Sequence, residues 1–123
     1  MACRFEVTLP TSEQIGISAA TEALDEVDRL EAQLTVFRDS SEVSHVNRHA
    51  AIEPVKISRS LFDLFVLCKH LHAETGGAFD ITSGPLTRCW GFFKREARFP
   101  DRNEIAAALS SVGTNKLQLD ESA

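Results

Sequence analysis

The residues best suited to chemistry stand in one short run, Gly76-Gly77-Ala78-Phe79-Asp80-Ile81-Thr82-Ser83-Gly84-Pro85, with Trp90, Phe92 and Phe93 close behind. Two glycines let a backbone turn with positive φ or approach a partner closely. Ala78 leaves that approach uncluttered, Phe79 supplies apolar bulk, Asp80 offers a carboxylate acceptor, and Thr82 can donate or accept. Gly84-Pro85 then fixes a turn before the next helical segment. Such a surface suits a planar heteroaromatic ligand whose polar edges meet backbone groups and one carboxylate. The same residues also suit a connection tied into the core by Phe79, Ile81 and Trp90, with Asp80 capping the segment that follows. The residues by themselves leave both readings open.

Other candidate groupings are weaker. His45 and His49 are four apart and would share a helix face, as metal ligands do, but the Glu of H-E-x-x-H is missing and no third ligand is evident, so two surface histidines are the simpler reading. His70 and His72 are two apart, point to different sides of a helix, and are not read as a site. Neither nucleotide-binding glycine fingerprint is present, nor a G-x-S-x-G elbow, and no cysteine is flanked as a nucleophile would be. No residue is therefore assigned a catalytic role, and none a metal. Arg88, Lys94, Arg95 and Arg98 cluster after the odd run, as a solvated face or as a site for an anionic ligand.

The elements around this run are legible from period and caps. "CRFEVTL" alternates as a short strand that Pro10 stops. "TSEQ", with Thr11 and Gln14, has the form of a capping box, and Ala20, Ala23, Leu24, Val27, Leu30 and Leu34 then recur at helical spacing. "DSSE" is expected to open a short helix with Asp39 as its cap. "EPVKIS" reads as a brief edge strand. Ser58 or Ser60 caps an apolar helix with Leu61, Leu64, Phe65, Cys68 and Leu71 as its buried stripe, widened by Phe62 and Val66 and ended by Gly76 and Gly77. Asp101 with Glu104 caps a last helix closed by Gly113, and "NKLQLD" alternates as a final strand. Strand, helix, strand, helix, helix, strand predicts an α+β fold, with short antiparallel strands and amphipathic helices packed on the sheet. The last strand has no visible partner after it, so the order reads like the beginning of something larger.

At 123 residues, 43% hydrophobic and 25% charged, the chain has the composition of one ordinary globular domain. A net charge of -5 argues against coating nucleic acid, which needs clustered cations. Cys3, Cys68 and Cys89 are odd in number and widely spaced, as reduced thiols rather than a zinc site or disulfide framework. No run approaches the roughly 18 apolar residues of a membrane span. "MACRFEV" carries no signal-peptide pattern, so the chain as given is expected to be cytoplasmic.

"MACRFEV", "RLEAQLTVFRDSSEVSHVNR", "ETGGAFDITSGPLTRCWGF" and "EIAAALSSVG", in that order, resemble the N-terminal part of the ApbE-like FAD:protein FMN transferase family. The resemblance runs from Met1 to about Leu119, and "GGAFDIT-GPL" is its most specific motif. It implies a T-fold-like α+β core with FAD in a cleft lined by these segments. By resemblance the cofactor-contacting residues are Met1 of the family's Met-Gly-Thr opening, Phe37 as the ring that packs on the flavin, and Ala78, Phe79 and Asp80. Two departures stand out: Ala2 and Cys3 replace the usual Gly and Thr, and Phe37 replaces a commoner Tyr or Trp, keeping the ring without its polar handle.

The activity implied is magnesium-dependent transfer of FMN from FAD to a Thr or Ser hydroxyl of a target flavoprotein, with release of AMP. Family members are much longer, often periplasmic or membrane-anchored, and carry their magnesium ligands in a downstream half. Residues 1–123 are accordingly expected to be the N-terminal portion of that domain, inactive alone, and completed by a second half or by homo-oligomerisation. The alternative is a non-catalytic flavin-binding or structural half-domain.

Overall fold

A computed structural model of the chain describes residues 4–10, 12, 15–94, 96 and 98–122. Helical spacing of the apolar residues produces α1, Ile15–Leu34. The Thr11–Gln14 capping box expected ahead of it lies outside the described residues. Ala20, Val27 and Leu34 are half-buried, whereas Leu24 and Leu30 stay exposed. α1 packs against α2, Glu42–His49.

The connection between these helices is knotted by hydroxyls. Ser41 Oγ accepts from Ser44 N at 3.0 Å and donates to the Thr35 carbonyl, which Ser44 Oγ also reaches at 3.3 Å. Ser41 and Ser44 are both buried. Ser41 is thus the cap of α2, not Asp39 as expected. It immediately precedes the first helical residue, while the Asp39 carboxylate lies two positions back and accepts from Arg48 Nη1 at 3.2 Å. This knot fixes the turn that carries Phe37. α2 sets His45 and His49 on one face, ring centroids 4.6 Å apart.

The chain divides into two compact units, residues 1–57 and 58–123. The second begins with α3, Arg59–Glu74, whose cap Ser58 accepts from Leu61 N at 3.3 Å. The expected stripe holds: Leu61 and Cys68 are buried, and Leu64, Phe65 and Leu71 half-buried, though Val66 is exposed. Burial pushes the Cys68 thiol above its ordinary pKa. α4, Gly84–Cys89, starts with Pro85 in its first turn, where a missing N–H costs nothing, and packs on α5, Arg102–Ser110. Asp101 and Glu104 form the reciprocal capping box expected at α5. The last segment is tied to α3: Lys69 Nζ donates to the Leu117 carbonyl at 3.0 Å, and Arg59 bridges Asp63 and Glu121 at 2.9 and 2.7 Å.

The expectation of an α+β fold with antiparallel strands is overturned. The described residues are 57% helical, and none of them is in a strand or sheet. The three stretches read as strands are residues 3–9, 53–58 and 115–120, of which residue 3 lies outside the described residues. All run without ladder partners among the described residues, and residues 114–116 form a single 3-10 turn instead. Alternation favours extended backbone, but a strand exists only where a neighbour completes its hydrogen bonds. Phe5, Val7 and Leu9 accordingly remain exposed.

Candidate functional site

The candidate segment is built on the C-terminal end of α3. Gly76 and Gly77 take φ of 59° and 86°, a conformation a side chain disfavours, and they reverse the chain. Gly77 N donates to the His72 carbonyl at 2.9 Å and Ala78 N to the Thr75 carbonyl at 3.2 Å. Thr75 Oγ1 donates to Leu71 O at 2.8 Å and accepts from Phe79 N at 3.0 Å. The chain therefore returns alongside the turn it has just left, with Phe79 39% exposed.

Asp80 is the centre of the arrangement, its side chain only 15% exposed. Its Oδ1 accepts from Thr82 N at 2.7 Å and from Thr82 Oγ1 at 2.6 Å. Thr82 Oγ1 in turn accepts from Gly113 N at 2.7 Å, which ties the segment to the end of α5. Asp80 Oδ2 lies 3.5 Å from His72 Nδ1, and that nitrogen is 2.8 Å from the Phe79 carbonyl. Thr114 is 6% exposed, and its hydroxyl makes no hydrogen bond of ordinary geometry in the structure, yet it stands close enough to Asp80 to favour the carboxylate. Burial opposes ionisation here, but Thr82, Thr114 and the neighbouring His72 outweigh it and hold the Asp80 carboxyl below the usual aspartate value. The site presents a fixed anionic acceptor beside an apolar ring.

Of the residues expected to contact a cofactor, Ala78, Phe79 and Asp80 are consecutive in this turn, with Asp80 committed to it structurally as well. Phe37 is in the first unit, on the hydroxyl-knotted connection, and is 73% exposed. Met1 lies outside the described residues. Sequence reasoning missed His72 and Thr75. His72 was set aside because its spacing to His70 forms no site. The signal was instead its place in the last turn of a helix ended by two glycines, where a reversal brings the next residues back within reach.

The basic group does not converge on a ligand position. Arg98 pairs with Glu104, Arg88 lies over the Phe93 ring at 5.4 Å, and Arg95 is outside the described residues. Among the described residues no three His, Cys, Asp or Glu side chains gather to hold a metal ion. No helix among them is long and apolar enough to cross a membrane.

The fold matches solved ApbE structures. The crystal structure of the ApbE protein from Thermotoga maritima matches with a TM-score of 0.82 at 26% identity, over 92% of this chain and 37% of that one. The apo flavinyl transferase ApbE of Pseudomonas stutzeri matches with a TM-score of 0.72 at 28% identity, over 89% and 36%. In sequence the chain is 37% identical to an FAD:protein FMN transferase of Klebsiella pneumoniae over 98 residues, 78% of this chain and 27% of that protein. To the one of Vibrio cholerae it is 32% identical over 115 residues, 88% and 34%. The model of the ApbE family matches residues 1–123, and the chain belongs to that family. It spans about a third of the length of the relatives it matches.

Proposed function

We propose that this chain supplies a flavin-binding portion of an FAD:protein FMN transferase, with Phe37 and the Ala78–Asp80 segment contacting FAD. The observation that carries the reading is the family match over residues 1–123 together with the built acceptor at Asp80, inside the motif that resembles the family's contact segment. In the reaction, the hydroxyl oxygen of an acceptor Thr or Ser attacks the FMN-side phosphorus of FAD. The phosphorus–oxygen bond to the AMP moiety breaks, the hydroxyl proton is lost to a base, and AMP leaves. The role proposed for the residues of this chain is to bind and orient. Asp80 and the 78–79 backbone meet the polar edge of the flavin or adenine, and Phe37 covers a ring face.

Among the described residues no three His, Cys, Asp or Glu side chains make a magnesium cage. Six of the acids are already committed: Asp101 to the α5 cap, Asp39 to Arg48, Asp63 and Glu121 to Arg59, Glu26 to Arg29, Glu104 to Arg98. The chain is therefore expected to bind FAD without transferring FMN. Incubation with FAD, magnesium and an acceptor flavoprotein, followed by in-gel flavin fluorescence under denaturing conditions, checks this. A labelled acceptor band that disappears when the chain is omitted would show that these residues catalyse transfer by themselves.

Binding is tested by flavin fluorescence titration. Aromatic stacking contributes about 0.5–1.5 kcal/mol beyond area burial, so Phe37→Ala should loosen FAD about 2- to 13-fold. Equal affinity in both proteins would take Phe37 out of the site, and absence of binding to the unmodified chain would leave the structural half-domain as the reading.

A further inference from the structure

We propose that His72 is the positioning residue of the flavin-facing segment, acting through the proton on Nδ1. The inference rests on the reading that residues 78–80 face FAD. Nδ1 lies 2.8 Å from the Phe79 carbonyl and 3.5 Å from Asp80 Oδ2. Both are acceptors only, the carboxylate being held in its ionised form, so Nδ1 must be the donor. The neutral side chain is thereby fixed as the Nδ1–H tautomer. The ring also lies over the glycine reversal, since a Cβ placed on Gly77 would meet His72 Cε1 at 3.6 Å and Nε2 at 3.8 Å.

Each of the other side-chain contacts described around the segment acts elsewhere. Thr75 holds the segment from its amide side, through Phe79 N. Thr82 and Thr114 hold Asp80 from the far side, toward α5. His72 joins α3 to the carbonyl of Phe79, the peptide unit between the exposed ring and the acceptor carboxylate. Its bond sets which way that peptide plane faces, and so the direction from which a ligand edge meets Ala78 and Asp80. A segment held before binding does not have to be ordered during it.

The atom that matters can be isolated by substitution. An asparagine amide nitrogen occupies the place of Nδ1 on the side chain, while a glutamine amide nitrogen occupies that of Nε2, one bond further out. His72→Ala and His72→Gln should therefore release the segment, and His72→Asn should restore it. Amide hydrogen exchange on the ligand-free chain reads this directly. We expect faster exchange at Gly77, Ala78 and Phe79 in the Ala and Gln variants, near-native exchange in the Asn variant, and unchanged exchange within residues 62–70 of α3 in all three.

FAD titration of the same proteins should show affinity reduced about 2- to 13-fold for Ala and Gln, the equivalent of one net hydrogen bond, and near-native for Asn. Unchanged exchange in the Ala variant, or rescue by Gln in place of Asn, overturns the assignment of His72 whatever FAD does. The expected exchange pattern with identical FAD affinities throughout overturns instead the placement of FAD on this segment.

Discussion

Replacing Gly91 with alanine is expected to lower folding stability by about 2–5 kcal/mol, the sum of a left-handed backbone penalty and a steric one. Gly91 has φ of 77°, and a Cβ built on it would stand 2.0 Å from the Glu96 carbonyl oxygen and 3.2 Å from Arg98 Cγ. The backbone has little room to yield. Gly91 N donates to Arg88 O at 2.9 Å, and its carbonyl accepts from both Lys94 N and Glu96 N at 3.2 Å. Moving Cα away from Glu96 pulls on all three bonds. Gly76 provides the control: its φ is also positive, at 59°, but nothing lies within 4 Å of a Cβ there. Gly76→Ala should therefore cost only the conformational part, about 1–2 kcal/mol. Urea unfolding of the two variants separates strain from collision. If Gly91→Ala is no worse than Gly76→Ala, the tight turn over residues 88–96 is not formed in solution.

Helices were legible here because their signals are local. Ser58 before an apolar stripe, Asp101 with Glu104, and two glycines after Thr75 each act within a few residues, and each acts in the structure as its chemistry requires. Asp39 failed as a cap for an equally local reason: Ser41 sits nearer the first helical turn and Arg48 claims the carboxylate. Strands are not local. Phe5, Val7, Leu117 and Leu119 alternate as strand residues do, but alternation says nothing about who pairs with them, and the described residues supply no ladder.

The site was half legible for the same reason. A carboxylate and a hydroxyl two apart, as Asp80 and Thr82 are, make a turn from the local chain alone, and the glycine pair announces a reversal. The partners that define the environment of Asp80 come from elsewhere: His72 from the helix before, Gly113 and Thr114 from beyond α5. Thirty residues of chain separate Thr82 from Gly113, and no spacing rule reports such a contact. Of the two readings left open for the run from Gly76 to Pro85, the connection tied into the core is corrected: Phe79, Ile81 and Trp90 are exposed, and Ser83, not Asp80, directly precedes α4. Asp80 holds its own turn, and the same fixed carboxylate is what a ligand would find.

Asp80 should consequently show two separable losses. Asp80→Ala strands the Thr82 amide and hydroxyl and loosens the Thr82–Gly113 bond between segment and α5. Buried polar groups left unsatisfied cost about 1–3 kcal/mol each, and partial exposure and rearrangement reduce the sum, so a loss of about 2–4 kcal/mol is expected. Asp80→Asn keeps an oxygen for both Thr82 donors, removes the charge and turns an amide N–H toward His72, so its stability loss should still be below that of Ala. The comparison has a pH signature. The folded-state pKa of Asp80 is depressed, so the stability contributed by its charge is fully present above the ordinary aspartate value near 4 and is lost as pH falls through the folded value. The gap between native and Asp80→Asn proteins should thus be widest at neutral pH and should close as pH falls through the depressed folded value, while the gap to Asp80→Ala narrows less because the turn itself is gone. Urea unfolding at several pH values reads both curves. FAD titration at neutral pH then assigns the charge: affinity lowered in Asp80→Asn at nearly native stability makes the carboxylate a ligand contact, whereas native affinity with the pH-dependent gap intact confines it to the turn.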